Sequence, residues 1–169
     1  MKKVRGIENL TEILQKFVKK FGCDIEMGAE FCYHYDDSLI EYSLILPTFS
    51  DKVWKEYVLK TFNYKIENIF MFSLLHEIGH HMTYDFYTEK ECNTENKYIE
   101  KIEKELARST SNAKDKRLNL EYFNLPMERT ATQWAVRYYK KHKIEMNLLW
   151  RKFKRELKNF YKINGLKDN

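Results

Sequence analysis

The segment at residues 73–82, SLLHEIGHHM, constrains the fold of this chain more than any other. It contains His76, Glu77 and His80 in the order His-Glu-x-x-His. On an α-helix the two histidines lie one turn apart on the same face, so both imidazoles can reach one metal ion. The glutamate lies about 100° further round the helix, where it can reach a water on the metal without binding the metal itself. The pattern therefore predicts a helix that carries a metal site.

The composition supplies enough apolar material to bury such a helix. The chain has 169 residues, of which 43% are hydrophobic and 15% aromatic, and this suffices for one packed core. No run of residues approaches the ~18 apolar residues of a membrane span, and the N-terminus lacks the apolar core of a signal peptide. We therefore predict a single domain over residues 1–169, in the cytoplasm and without a membrane partner.

Hydrophobic spacing predicts an α+β domain that is mainly α, with a small antiparallel sheet and a helical C-terminal part. Aromatic and β-branched residues between 23 and 47 indicate three short strands, and Pro47 is expected to end them. The polar residues 109–117 predict a mobile loop. Helices are expected at residues 7–21, 50–62, 65–84 and 94–108, from near 126, and at about 144–163.

The three cysteines argue against covalent cross-links. Cys23, Cys32 and Cys92 are odd in number and lack C-x-x-C spacing, which disfavours a disulfide framework and a cysteine-built metal site. We predict reduced thiols.

The net charge of +5 is concentrated near the C-terminus, where residues 137–162 contain ten Lys or Arg and two Glu. Such a basic stripe can bind nucleic acid or an acidic protein. A solvated face of a lysine-rich protein gives the same pattern, and we favour that interpretation. A nucleic-acid partner is not expected.

Glu128 is the best candidate for a third metal ligand. It opens a series that continues through Ala131 and Ala135 at helical spacing, so the carboxylate shares a face with small residues. Two alanines would let this helix pack closely on the histidine helix. The alternative is that Glu128, two residues after Pro126, only stabilises the N-terminus of its own helix. We favour the ligand.

Gly79 supports the same arrangement. A glycine inside a helix costs about 1 kcal/mol relative to alanine, so it usually has a packing or access reason. We expect a neighbouring backbone or a substrate strand to pass close to it.

Other candidate ligands are weaker. His81 points off the ligand face, and His34 and His142 are isolated, so none is assigned to the metal. A metzincin is excluded because Phe86 stands where its third histidine would be.

The remaining acidic candidates lie in the segment 94–108. Glu95, Glu100, Glu103 and Glu105 occur among lysines, and we expect them on charged, solvated faces.

A zinc ion with three protein ligands keeps a fourth position for water, lowers the pKa of that water to around 7 and polarises a carbonyl. Glu77 would then be the general base. The alternative is a non-catalytic binding module, in which a structural metal has four protein ligands. The sequence does not choose an oxyanion donor among Tyr84, Tyr122 and Tyr138.

Two motifs resemble one known family. HEIGHH at residues 76–81, and then LPMERTATQWA at 125–135, are similar to the ImmA/IrrE family of small bacterial and phage metallopeptidases. The family pattern is H-E-x-x-H followed by E-x-x-A-x-x-[FW]-A, and the second part is met here by Glu128, Ala131, Trp134 and Ala135. Thr130 departs from the acidic residue or glutamine that many members carry. The resemblance covers most of residues 1–143.

The resemblance implies a zincin-like fold and one zinc ion held by His76, His80 and Glu128. It implies Glu77 as the general base of an endopeptidase. The substrate that the resemblance implies is a cytoplasmic protein of the class of helix-turn-helix repressors of phages or mobile elements.

Overall fold

A computed structural model describes residues 6–44 and 49–165. Within these residues the chain forms seven α-helices and a small three-stranded sheet, which confirms the α+β, mainly α class. None of the described helices is long and apolar enough to span a membrane. The helices are α1 (Ile7–Val18), α2 (Phe49–Phe62), α3 (Ile69–Thr83), α4 (Glu89–Ala107), α5 (Asn112–Phe123), α6 (Pro126–Lys141) and α7 (Lys143–Asn164). The strands are β1 (Asp24–Met27), β2 (Cys32–His34) and β3 (Leu39–Tyr42).

The sheet is mixed, so the prediction of an antiparallel sheet was wrong in one pairing. The strand order is β1-β3-β2, with β3 parallel to β1 and antiparallel to β2. Ile40 and Tyr42 of β3 are fully buried, and the most buried strand occupies the centre of the sheet. Pro47, predicted to end the strands, lies outside the described residues.

The histidine helix α3 is buried on nearly every side, as the sequence predicts. It begins at Asn68, whose side chain accepts a hydrogen bond from the Met71 backbone N–H at 3.0 Å. Leu74, Leu75 and Ile78 have no exposed surface. The helix therefore lies in the centre of the described fold.

The segment predicted as a mobile loop is largely helical, which corrects that prediction. Ser111 caps α5 by accepting a hydrogen bond from the Lys114 N–H at 3.5 Å. Leu118 and Phe123 are buried, and α5 packs against α2. The polar residues 109–117 include the cap and first turns of a helix whose apolar residues follow later in the sequence. Because the apolar face begins only at Leu118, the polar first turns of α5 resemble a loop in the sequence.

Two other elements differ slightly from their predicted bounds. The helix predicted from 94 starts at Glu89, where Thr88 and Glu91 form a reciprocal capping box. The first helix ends at Val18 and continues as a 3-10 turn through Phe21. All three cysteines are free, as predicted.

Candidate metal centre

The site forms where α3 packs on α6. A Cβ atom added to Gly79 would lie 2.6 Å from the backbone oxygen of Ala131 and 3.0 Å from its Cα. Only a glycine allows the two backbones to approach this closely. Ala131 and Ala135 are themselves fully buried. The expected close passage of a neighbouring backbone at Gly79 is therefore confirmed, and it brings the first turns of α6 beside the histidines.

His76, His80 and Glu128 form one buried group that could hold a metal ion. The His76 Nε2 lies 3.0 Å from Oε2 of Glu128 and 3.1 Å from the His80 Nε2. The His80 Nε2 lies 3.4 Å from Oε1 of Glu128. Three ligand atoms thus converge on one point, from two turns of α3 and the first turn of α6. Two imidazole nitrogens and a carboxylate oxygen suit zinc and other first-row divalent metals.

The charges of this group are strongly coupled. Burial disfavours ionisation of Glu128, but the facing His80 and His76 hold the pKa of its carboxyl well below the usual range. Burial likewise disfavours a charged His80, yet the Glu128 carboxylate and, beyond it, Glu77 and Glu95 raise the pKa of this imidazole to about 9. By themselves, His80 and Glu128 therefore form a buried ion pair next to His76. The proton on His80 occupies the space between the ligand atoms that a metal cation could take instead.

Glu77 lies on α3 beside the two histidines and is also buried. Burial raises the pKa of its carboxyl, and the Glu128 charge adds to this, while His76 and His80 oppose it. A carboxyl with a raised pKa in a buried site is well suited to take and return a proton near neutral pH.

Two further side chains contact His76 and orient its imidazole ring. The Thr132 hydroxyl lies 3.1 Å from the His76 Nδ1, one turn along α6 from Glu128. The Trp54 ring contacts the imidazole edge-on, with ring centroids 5.0 Å apart. A partner on the second ring nitrogen fixes which nitrogen faces a metal. No pattern in the sequence indicates Trp54, whereas Thr132 could have been found from its i+4 spacing to Glu128.

The structure separates the three tyrosines that the sequence left as alternatives. Burial together with the charges of Glu128 and Glu77 raises the pKa of the Tyr122 hydroxyl on α5. The Tyr138 hydroxyl instead donates to Glu145 at 3.2 Å. Tyr84 is exposed and packs on Tyr35. Tyr122 is therefore the candidate that interacts with the metal-ligating group.

Glu95 was wrongly placed on a solvated face. It is only 8% exposed, and its carboxylate accepts hydrogen bonds from the Met127 N–H at the start of α6. The buried face of α4 consists of Cys92, Glu95 and Ile102, whereas the aromatic Tyr98 on the same helix is 42% exposed. Spacing from Cys92 would have indicated this face. Glu100 and Glu103 are exposed, as expected.

The other histidines lie outside the group. The His81 Nδ1 bonds the Tyr33 hydroxyl at 2.6 Å, which ties α3 to β2. His34 pairs with Glu41 at 3.1 Å, and His142 stacks on Tyr138 with ring centroids 4.2 Å apart. Each has a structural partner in the described part of the chain.

No family model, curated protein or solved structure matches this chain. The functional argument therefore depends on the chemistry of the site itself.

Proposed function

We propose that this chain is a zinc-dependent endopeptidase, with His76, His80 and Glu128 as metal ligands and Glu77 as general base. The observation that carries the proposal is the buried convergence of two imidazoles and a carboxylate beside a further buried carboxyl group, that of Glu77. Zinc held there would polarise the substrate carbonyl and lower the pKa of the attacking water to around 7.

Glu77 would move the proton. Its carboxylate takes the proton of the attacking water, and the resulting acid passes it to the nitrogen of the leaving amine. The raised pKa of this carboxyl supports its role as base, because a carboxylate with a higher pKa takes up a proton more readily.

Tyr122 is the oxyanion donor that we favour. Its raised pKa keeps the hydroxyl protonated at neutral pH, so it remains a hydrogen-bond donor. The influence of the Glu128 charge on this hydroxyl supports a position close to the group, where a substrate carbonyl would lie.

The edge of the sheet suggests how a peptide would bind. β2 pairs with β3 on one side, no described strand pairs with its other side, and Tyr33 joins it to α3. An extended peptide could add to such an edge by backbone hydrogen bonds. We propose a cytoplasmic protein as the substrate and, from the resemblance of 76–81 and 125–135 to ImmA/IrrE proteins, a helix-turn-helix repressor as its class.

A non-catalytic binding module is the second candidate, with α7 as its binding surface. A structural zinc site has four protein ligands, whereas the group contains three among the described residues. The ligand number supports the enzyme, because it leaves a position for water.

Two glutamate variants test the proposal. Glu77→Gln keeps the shape of the side chain and all three ligands, so it should bind one zinc per chain while cleavage falls about 10²- to 10⁴-fold. Glu128→Ala should lose most of its zinc. Metal content is measured by elemental analysis, and cleavage by mass spectrometry of new N-termini in a bacterial proteome digest that includes a purified repressor.

Glu100→Gln, an exposed change on α4, is the matched control and should keep both zinc and cleavage. Wild-type cleavage by Glu77→Gln would refute the mechanism. Full zinc content in both Glu128→Ala and His76→Ala would refute the metal site.

A further inference from the structure

The first turn of α6, which carries Glu128, has no cap of its own. Its N-cap residue Leu125 makes no side-chain capping bond, and Pro126 has no N–H to contribute. Met127 and Glu128 therefore begin the helix with backbone N–H groups that need acceptors from elsewhere.

Glu95 supplies the acceptor from another helix. Its Oε1 and Oε2 lie 3.0 Å and 3.3 Å from the Met127 backbone nitrogen, whose N–H donates to the carboxylate. A negative charge at a helix N-terminus also interacts favourably with the helix dipole. Glu95 thus replaces the missing cap of α6 across a sequence distance of more than thirty residues.

The burial of Glu95 would be costly without such a role. No described lysine or arginine forms an ion pair with it, and two further carboxylates, Glu128 and Glu77, belong to the same buried region. A buried carboxylate without a counter-charge costs several kcal/mol. The backbone hydrogen bonds compensate part of that cost, and a divalent cation on Glu128 would compensate more.

A second contact holds the same turn from its other side. The Tyr87 hydroxyl, just before α4, donates to the Pro126 carbonyl oxygen at 2.9 Å and lies 2.6 Å from the Thr130 hydroxyl. Thr130 itself donates to the Pro126 carbonyl at 2.8 Å. The start of α6 is therefore fixed through both an N–H and a carbonyl group, each by the segment that contains α4.

We propose that Glu95 is a positioning residue of the metal centre, which holds the first turn of α6 so that the Glu128 carboxylate faces His76 and His80. The inference rests on the proposed metal site. It assigns to Glu95 no direct contact with the ion. It also explains the position of α4, because this helix packs Glu95 against the first turn of α6. That turn carries Glu128, the proposed ligand that does not come from α3.

Metal affinity of the folded protein is the test. Zinc affinity is measured by competition with a chromophoric chelator, and ligand geometry by the visible spectrum of the cobalt-substituted protein. Glu95→Ala removes the acceptor, and we expect zinc affinity to fall about 10- to 100-fold, the range for residues that orient metal ligands. Glu95→Gln keeps one acceptor oxygen but not the charge, and should lie between Glu95→Ala and wild type. Glu100→Gln on the same helix should match wild type.

A merely structural role would give a different result. It would lower the unfolding free energy of the metal-free protein but leave the zinc affinity and the cobalt spectrum of folded Glu95→Ala unchanged, and that outcome would overturn the inference. If Glu95→Ala does not fold, Glu95→Gln and Tyr87→Phe decide, and wild-type affinity and spectra in both would overturn it. A wild-type protein that binds no zinc would instead refute the proposed function.

Discussion

The α3–α6 pair and the C-terminal helix α7 place their charged residues in opposite ways. The α3–α6 interface buries His76, Glu77, His80 and Glu128 in the interior. In α7 the buried residues are Met146, Phe153 and Phe160, while its lysines and arginines point to solvent. The helix α7 is therefore an ordinary amphipathic helix, with its apolar face toward the core and its charged face toward solvent. Buried ionisable groups are costly, and their presence in the α3–α6 interface is the reason that the proposed function is assigned to it.

The ion pairs of the two regions differ in the same way. Those of α7, such as Lys143 with Glu67 and Arg155 with Glu156, are exposed, and pairs of this kind contribute about 0–1 kcal/mol. The pairs of Glu128 with His76 and His80 are almost fully buried. Removal of one partner there leaves an uncompensated charge in the interior. Substitutions and pH changes should therefore have large effects at α3–α6 and small ones at α7.

The stability of the metal-free protein should fall as the pH rises. The pKa of His80 is about 9 in the folded chain against 6.5 for the free side chain, so the His80–Glu128 pair contributes fully below pH 6.5 and is lost toward pH 9. From pH 6 to 8.5 the unfolding free energy should decrease by about 2 kcal/mol. Urea unfolding in excess chelator measures it. The window ends below 9.0, the ordinary pKa of Cys23 and Cys32, above which ionisation of these thiols in the unfolded chain would also lower stability.

The matched variant is Glu128→Gln, which keeps the size of the side chain but removes the charge facing His80. Glu77 and Glu95 also raise the pKa of His80, so a small slope should remain. A wild-type slope in Glu128→Gln would show that the pH dependence arises elsewhere. Zinc should reverse the trend, because the ion must displace the His80 proton and is therefore bound more weakly as the pH falls.

Gly79→Ala should disturb the close approach of α3 and α6. The new Cβ would meet the backbone of Ala131, which cannot rotate away as a side chain can. Overpacking costs about 1–3 kcal/mol, and a clash with backbone belongs to the upper part of that range, about 2–3 kcal/mol. The better helix propensity of alanine returns about 1 kcal/mol. We expect a net loss of about 1–2 kcal/mol in the metal-free protein, measured by urea unfolding, together with weaker zinc binding.

Met82→Ala is the control for this substitution, since Met82 lies on the same helix and is 42% exposed. Its unfolding free energy should change by less than about 0.5 kcal/mol. Equal stability of Gly79→Ala and wild type would mean that the two helices can separate without cost, which would weaken the comparison between the two regions.

The α3–α6 region was largely predictable because its residues repeat at helical spacing within short segments. His76 and His80 are one turn apart, and Glu128 and Ala131 share a face, so each pattern can be recognised within one helix. Gly79 then indicated the close approach. In this region, local sequence therefore indicates both that the two segments are helical and which face each helix buries.

The errors arose where long-range contacts decide the outcome. The burial of Glu95 depends on the uncapped start of α6, thirty-two positions later in the sequence, and its lysine-rich surroundings give no hint of it. The parallel pairing of β3 with β1 depends on the third strand lying between the first two, which local sequence does not determine. The helix α5 depends on Leu118 and Phe123 packing against α2, beyond the polar turn that precedes them.

The smallest effect is expected at α7 and the end of α6, where Lys140, Lys141, Lys152 and Lys154 are all exposed. Lys140 lies over the Tyr64 ring at 5.6 Å, and an exposed contact of this kind contributes about 0.5–1 kcal/mol. Replacing all four by Gln should therefore lower the unfolding free energy by about 1 kcal/mol or less and leave zinc binding unchanged.

We expect wild type and variant alike to show no specific binding of duplex or single-stranded DNA at physiological salt in a fluorescence-anisotropy titration. Tight binding by wild type, with a steep salt dependence that the variant loses, would show that the basic stripe is an interface, and the contrast between a functional interior and a merely solvated surface would fail.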